Sequence, residues 1–286
     1  MIKLQFKQVV LAALFILSGI QLRAQLNTDS FDSARESKSA NWSYLYYEAP
    51  GFAAKNSEGE WAGVSVDIMS AFKKYVESKY GIEIKISQQI HHDDFSQFLS
   101  DIKTSKGGVF GLSSTTITED RKMEYTFSPP YITNIGMILS NDNVPTLLEI
   151  ENIAEKFQGM TAVTVSNSTN EQRLLEIKEK YFNDLEIEYV PSFEQAMEEV
   201  IKDQNKFTNV DFTFYFEAIQ KWKPIKRHPG GDDPTEQLGI IMSKLNDWQP
   251  LLEEFMNSGF LGSEEYKMII SKNLGSQAMR FLETLE

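Results

Sequence analysis

Residues 114–131 read STTITEDRKMEYTFSPPY and place an arginine in the first turn of a helix. Thr118 is suited to cap a helix that begins Glu119-Asp120-Arg121. The positive end of the helix dipole favours the two acids and disfavours the guanidinium. Two readings are open. In one, Arg121 pairs with Glu119 or Glu124 on a solvated face. In the other, Arg121 and the free N–H groups of that first turn face one external anion, such as a ligand carboxylate.

The flanking segments set the fold class. Short apolar strands are expected at 43–48, 82–86, 109–113, 136–140, 160–165, 185–190, 209–214 and 237–243. Helical patterns at 66–80, 94–104, 118–125, 146–157, 169–181, 192–204, 247–258 and 263–271 alternate with them. Ser192 and Gln195 have the capping-box spacing, and Gly81 and Gly259 stand where left-handed C-caps belong. This alternation predicts an α/β protein with mainly parallel sheets covered on both faces. In such sheets ligands bind beyond the carboxyl ends of strands. Arg121 falls in such a place, after the strand at 109–113. A second place of the same kind follows the strand at 160–165, where Ser166-Asn167-Ser168-Thr169 leads into a helix; its bland reading is ordinary N-capping.

The N-terminus carries Lys3 and Lys7 ahead of an apolar run over residues 9–17, then the small-residue ending Leu22-Arg23-Ala24. That layout predicts a signal peptide over 1–24, and the run is too short to span a bilayer. Export and a periplasmic location are expected. The chain has no cysteine, which excludes a disulfide scaffold and a thiol nucleophile. Loss of the leader takes the net charge from −13 to −16, because it contains Lys3, Lys7 and Arg23 and no acid. An acidic surface of this size argues against nucleic acid and anionic lipid as partners. Residues 25–40 are polar and aperiodic, and a disordered lead-in is expected there.

Three stretches carry a resemblance. Residues 55–68, KNSEGEWAGVSVDI, resemble a hairpin followed by G-[FV]-x-[VI]-D-[LI] entering a long helix. Residues 114–131 resemble T-I-T-x-x-R followed by F-S-x-P-Y, matched by Phe127-Ser128-Pro129-Pro130-Tyr131. Residues 157–169 resemble G-x-x-V-x-V-x-x-G-[ST]-[ST]. Together they make the chain similar to the periplasmic amino-acid-binding proteins of ABC transporters, family 3 of the bacterial extracellular solute-binding proteins. The resemblance implies the type II periplasmic-binding fold, with two α/β lobes, two hinge crossings and a ligand between the lobes. It places lobe 1 at 41–137 with 236–286 and lobe 2 at 138–235. It implies that Arg121 and Thr116 hold a ligand carboxylate, that the Ser114 carbonyl meets an ammonium, and that Ser168 and Thr169 close from lobe 2. A permease partner, a monomer and no cofactor or metal follow from it.

The match has gaps. Val109 stands where the family has an aspartate twelve residues before the arginine. The family's lobe 2 acid for the ligand amine lies five residues after a Val-Asp pair. With the pair at Val210-Asp211, that position is Phe216, and Glu217 is one further on. Glu48 and Glu217 are then the acids left to meet an amine, and Tyr46, Tyr47 and Phe52 compete as the aromatic platform. His91-His92-Asp93-Asp94 reads as a loop capping the next helix in preference to a metal site. Signatures of hydrolases, dinucleotide enzymes, NTPases and zinc proteases are absent. The expected function is capture of a small carboxylate, an amino acid above all, for uptake. The alternatives are a periplasmic enzyme resembling cyclohexadienyl dehydratases, with Glu48 or Glu217 as its acid, and a ligand-sensing subunit.

Overall fold

The structure, a computed structural model, describes residues 26–283. The expected signal peptide lies outside the described residues. Within them, no helix is long and apolar enough to cross a membrane.

Helix α1 (Phe31–Ser37) and strand β1 (Ser39–Tyr47) open the chain, followed by the hairpin β2 (Ala54–Lys55) and β3 (Trp61–Ala62). Then come α2 (Val64–Tyr80), β4 (Glu83–His92), α3 (Phe95–Thr104), β5 (Val109–Leu112), α4 (Glu119–Glu124) and β6 (Tyr125–Phe127). The middle of the chain holds β7 (Ile132–Asn141), α5 (Ile153–Lys156), β8 (Thr161–Thr164), α6 (Thr169–Lys180), β9 (Glu186–Tyr189), α7 (Phe193–Lys202), β10 (Lys206–Asp211) and α8 (Phe212–Gln220). It ends with β11 (Ile225–Leu238), β12 (Ile241–Ser243), α9 (Gln249–Asn257) and α10 (Glu264–Glu283).

Two five-stranded sheets form two lobes, ordered β4-β1-β5-β12-β6 and β11-β7-β10-β8-β9. Both sheets are mixed rather than mainly parallel. β1 runs parallel to β4 and β5, and β8 to β9 and β10, while the remaining pairs are antiparallel. The antiparallel pairs come from β7, β11 and β12, which bring the chain across between lobes and back without a helical crossover. β7 leaves lobe 1 and β11 returns to it, paired at Ile132↔Leu238, Thr133↔Gln237 and Asn134↔Glu236. These are the two hinge crossings.

Local chemistry explains the elements that frame the cleft. The carbonyl of Phe52 accepts from the Ser65 N–H at 3.1 Å and its hydroxyl at 2.7 Å, tying the hairpin to the start of α2. Gly63 precedes α2 with φ 136°, and a Cβ there would lie 2.3 Å from the Phe52 carbonyl, so only glycine fits. Phe72 is fully buried and stacks on Trp42 at 5.1 Å.

Two of the local expectations need correction. The lead-in at 25–40 is ordered from α1 onward. Ser30 caps α1, Ala34 is buried, and Phe31 packs on Trp248 at 5.2 Å and Tyr80 at 5.6 Å. Seven residues are too few to display a helical period, so composition alone read as disorder. Second, the strand expected at 209–214 ends at Asp211, and the aromatic run continues as α8. α10 bends at Gly275 (φ 76°, ψ 165°) and carries Phe281 onto Phe216 of α8 at 5.7 Å.

Candidate functional site

The loop after β5 supplies one wall of the cleft. Thr118 caps α4 by accepting the Arg121 N–H at 3.1 Å. The acids of that segment have other partners: Glu119 pairs with Lys122 and Glu124 with Lys103, each at 2.8 Å. The Arg121 guanidinium is therefore free to turn inward. It donates to the Thr116 carbonyl at 2.9 Å and, across the cleft, to the Asn167 carbonyl at 3.0 Å, and it lies over the Phe95 ring at 5.4 Å. Burial lowers its pKa, with Glu236 and Asp211 acting in the opposite direction.

Lobe 2 meets this wall through the loop between β8 and α6. Asn167 has φ 63°, and its side chain donates to the Ser96 hydroxyl at 2.8 Å. Thr169 and Thr116 place their hydroxyls 3.3 Å apart. Ser168 caps α6, accepting the Glu171 N–H at 3.0 Å and donating to the Val165 carbonyl at 2.6 Å. Its side chain thus does the ordinary capping work.

Opposite Ser114 stands a residue the sequence reading passed over. Asp211 ends β10 and is 4 % exposed. Ser114 Oγ donates to its Oδ2, and Asn134 Nδ2 donates to its Oδ1 at 2.8 Å. The same Asn134 amide donates to Glu236 Oε2 at 2.7 Å, so two carboxylates from two strands share one donor group. Asn170, buried in the first turn of α6, also bonds to Asp211. Burial raises the Asp211 pKa, and the Glu236 charge pushes the same way. An acid held in this state gains most from a cation brought beside it.

Phe216 is not where an amine-binding acid would have to be. It lies in α8 with its ring against Phe212 at 6.2 Å. Five residues earlier, at the end of β10, Asp211 meets Ser114 across the cleft and is the acid available for that place. The run Phe212-Thr213-Phe214-Tyr215-Phe216 has strand-like composition, which hid the strand end; the four-residue spacing of Phe212 and Phe216 was the helical signal.

Of the remaining expected residues, Tyr47 is 3 % exposed, with its ring on Phe95 at 5.0 Å and Phe98 at 6.1 Å. Tyr46 stacks on Trp61 at 4.1 Å and reaches Gln89, away from this group. Phe52 is fully buried against Tyr131 and Phe212. Glu48 is half-buried just after β1. Glu217 pairs with Lys221 at 2.6 Å on α8 and does not join the Asp211 group. His91 lies 3.6 Å from Asp93 and His92 3.6 Å from Asp101. Among the described residues no set of three or more ligating side chains could hold a metal.

The architecture is shared with solved structures. An ancestral arginine-binding protein bound to arginine matches with a TM-score of 0.66 at 19 % identity, covering 82 % of this chain and 98 % of its own. A histidine-bound ABC uptake transporter substrate-binding protein from Streptococcus pneumoniae matches at 0.68 and 15 %, covering 86 % and 96 %. The ancestral amino-acid-binding protein AncCDT-1, a precursor of cyclohexadienyl dehydratase, matches at 0.64 and 18 %, covering 85 % and 98 %. No curated protein sequence matches the chain. The sequence profile of the bacterial extracellular solute-binding proteins, family 3, matches residues 45–205, more than half of the chain. With that match and the two-lobed fold, the chain belongs to family 3 of the bacterial extracellular solute-binding proteins.

Proposed function

We propose that this protein is a solute receptor that closes its two lobes on one α-amino acid and presents it to an ABC-transporter permease. Lobe 1 is residues 41–137 with 236–286, and lobe 2 is 138–235. The ligand carboxylate is held by Arg121, Thr116 and Thr169. Its ammonium sits against Asp211, with Ser114 beside it. The observation that carries the reading is Asp211, a buried carboxylate at a strand's carboxyl end whose bonds come from Ser114, Asn134 and Asn170, none of them a cation. Family membership and the arginine- and histidine-bound relatives support the same ligand class. The protein acts as a monomer in the periplasm.

A screen of amino acids, hydroxy acids and keto acids by thermal shift and calorimetry tests this. One or a few α-amino acids are expected to raise the melting temperature, and their deaminated analogues to bind far more weakly. Equal affinity for both analogues would exclude an ammonium site.

A second reading, a dehydratase, is favoured by one observation. Glu194, in the first turn of α7, has its carboxyl pushed up to about 7 by burial, which suits a proton donor at neutral pH. Release of phenylpyruvate or phenylalanine from prephenate or arogenate would establish it.

A further inference from the structure

Beyond the Asp211 group, both lobes turn unpaired polar atoms toward one another. The Tyr47 hydroxyl, from lobe 1, is buried and makes no hydrogen bond of normal length among the described residues. It faces the start of α7, with the Phe193 N–H in its neighbourhood and the carboxylates of Glu194, Asp94 and Asp211 around it. From lobe 2, Glu194 turns toward the Ser192 hydroxyl and its own N–H, but its Oε1 is buried with no partner among the described residues. The charges of Glu48 and Glu217 bear on the same carboxyl. Thr213 Oγ1 and Asn134 Oδ1, beside Asp211 in chain or in space, are buried without partners as well.

These orphaned atoms share a chemical bias. A carboxylate oxygen and an amide oxygen can only accept, and the two hydroxyls can do either. Among the described residues no basic side chain bonds to them, although Lys202, Lys221 and Lys223 line the same pocket as Glu194. Lys221 is taken by Glu217 and Lys202 by Glu198, while Arg121 is turned to the Thr116 and Asn167 carbonyls. A buried acceptor left unmade is costly, and a buried carboxylate more so, unless a donor with positive charge arrives. A neutral ligand side chain could satisfy the hydrogen bond but not the charge, and an acidic one would add to it.

Resting on the amino-acid reading above, we propose that Glu194, assisted by Tyr47, selects ligands with a second cationic group, that is, α-amino acids whose side chain ends in an ammonium or guanidinium. Glu194 is a specificity residue here. Asp211 takes the α-ammonium and Glu194 the distal cation.

Calorimetry with lysine, ornithine and arginine against glutamine, norleucine and glutamate tests this on the wild type, Glu194→Gln and Tyr47→Phe. Both substitutions preserve shape, and unchanged circular dichroism confirms their folds. The wild type is expected to bind at least one basic ligand tenfold or more tightly than its neutral counterparts. Glu194→Gln should lose tenfold or more for basic ligands and change little for neutral ones, and Tyr47→Phe should lose less in the same direction. Tight binding of a neutral or acidic amino acid by the wild type would overturn this proposal while leaving the amino-acid reading standing. So would a uniform loss across all ligands in Glu194→Gln, or turnover of prephenate or arogenate that Glu194→Gln abolishes. Binding of none of the amino acids would overturn both.

Discussion

The Ser114 hydroxyl, in the loop after β5, donates to the Asp211 carboxylate at the end of β10, one of the hydrogen bonds that join lobe 1 to lobe 2 inside the cleft. Under the proposed function Asp211 takes part in both closure and recognition. Substituting Asp211→Asn keeps the shape and removes the charge that an ammonium needs. Hydrogen bonds to charged groups contribute about 1.5–3 kcal/mol, which corresponds to an affinity loss of roughly 10- to 100-fold. The loss is expected for amino acids and not for their deaminated analogues, as read by calorimetry.

The same carboxylate sets a pH dependence. Burial raises the Asp211 pKa, and Glu236 adds to the shift. A proton on Asp211 competes with the ligand ammonium, so affinity should climb as pH rises through that raised value and level off above it. Binding should also release protons at pH values where Asp211 is part-protonated. Calorimetry in two buffers of different ionisation enthalpy measures that release, and Asp211→Asn should abolish it.

Arg121 joins two backbone carbonyls, Thr116 O at 2.9 Å in its own lobe and Asn167 O at 3.0 Å in the other. Lysine keeps the charge but lacks the planar fork whose separate nitrogens reach both carbonyls while presenting paired donors to a carboxylate. Arg121→Lys is therefore expected to weaken ligand binding at least tenfold and to leave the melting temperature of the unliganded protein within a few degrees. Normal affinity in both Arg121→Lys and Arg121→Ala would remove the arginine from the carboxylate site.

Much of this was legible from the chain. The Thr118 cap, the loop ends at Ser114–Thr116 and at Ser168–Thr169, and the alternation of strands with helices all follow from local rules that the fold obeys. Illegible were the partners that come together only in three dimensions. Asn134 and Glu236 lie 102 positions apart and meet because the two crossing strands pair there. Asp211 was misjudged for another reason: Phe212 to Phe216 have strand-forming side chains, yet tertiary packing turns them into a helix one residue after the site.

His228 gives a stability test away from the cleft. It is fully buried, its Nδ1 accepts the Leu147 N–H at 3.0 Å, and its Nε2 lies 2.7 Å from the Ser140 hydroxyl. Because Ser140 donates to the Asn141 carbonyl at 3.0 Å, Nε2 carries the proton and the ring is neutral. Burial, with Lys226 nearby, lowers its pKa to about 4, against about 6.5 unfolded. The unfolded chain thus binds the proton first as pH falls. Stability from this residue is full above about pH 6.5 and lost progressively down to about 4, to a total of roughly 3 kcal/mol. Glu194 acts with the opposite sign: its carboxyl is raised to about 7, so its contribution is full below about 4.5 and is lost as pH rises through 7. Urea unfolding from pH 4.5 to 7.5 should therefore show a shallower acid limb in His228→Gln than in wild type, and a gain at pH 7.5 in Glu194→Gln.

The last prediction concerns α10, which connects the lobes outside the two crossing strands. Before the bend it belongs to lobe 1, where Lys272 and Asn273 each donate to Asp67 at 2.8 Å. After Gly275 it lies on lobe 2, where Phe281 meets Phe216 at 5.7 Å and the Arg227 guanidinium covers its ring at 4.6 Å. Opening the cleft by rotation about β7 and β11 must either carry this segment along or detach it. The half-buried Phe281 is the anchor, so Phe281→Ala should cost about 1–3 kcal/mol, less than a fully buried phenylalanine. If detachment accompanies opening, the substitution should also enlarge the unliganded radius of gyration in small-angle scattering and speed ligand association, with the liganded radius unchanged. A variant with lowered stability but the same unliganded radius and association rate would show that the segment is only packing. Gly275→Ala separates the bend from the anchor. With φ at 76° an added Cβ costs roughly 1 kcal/mol, so this variant should weaken the lobe 2 contact while every side chain of the anchor remains in place.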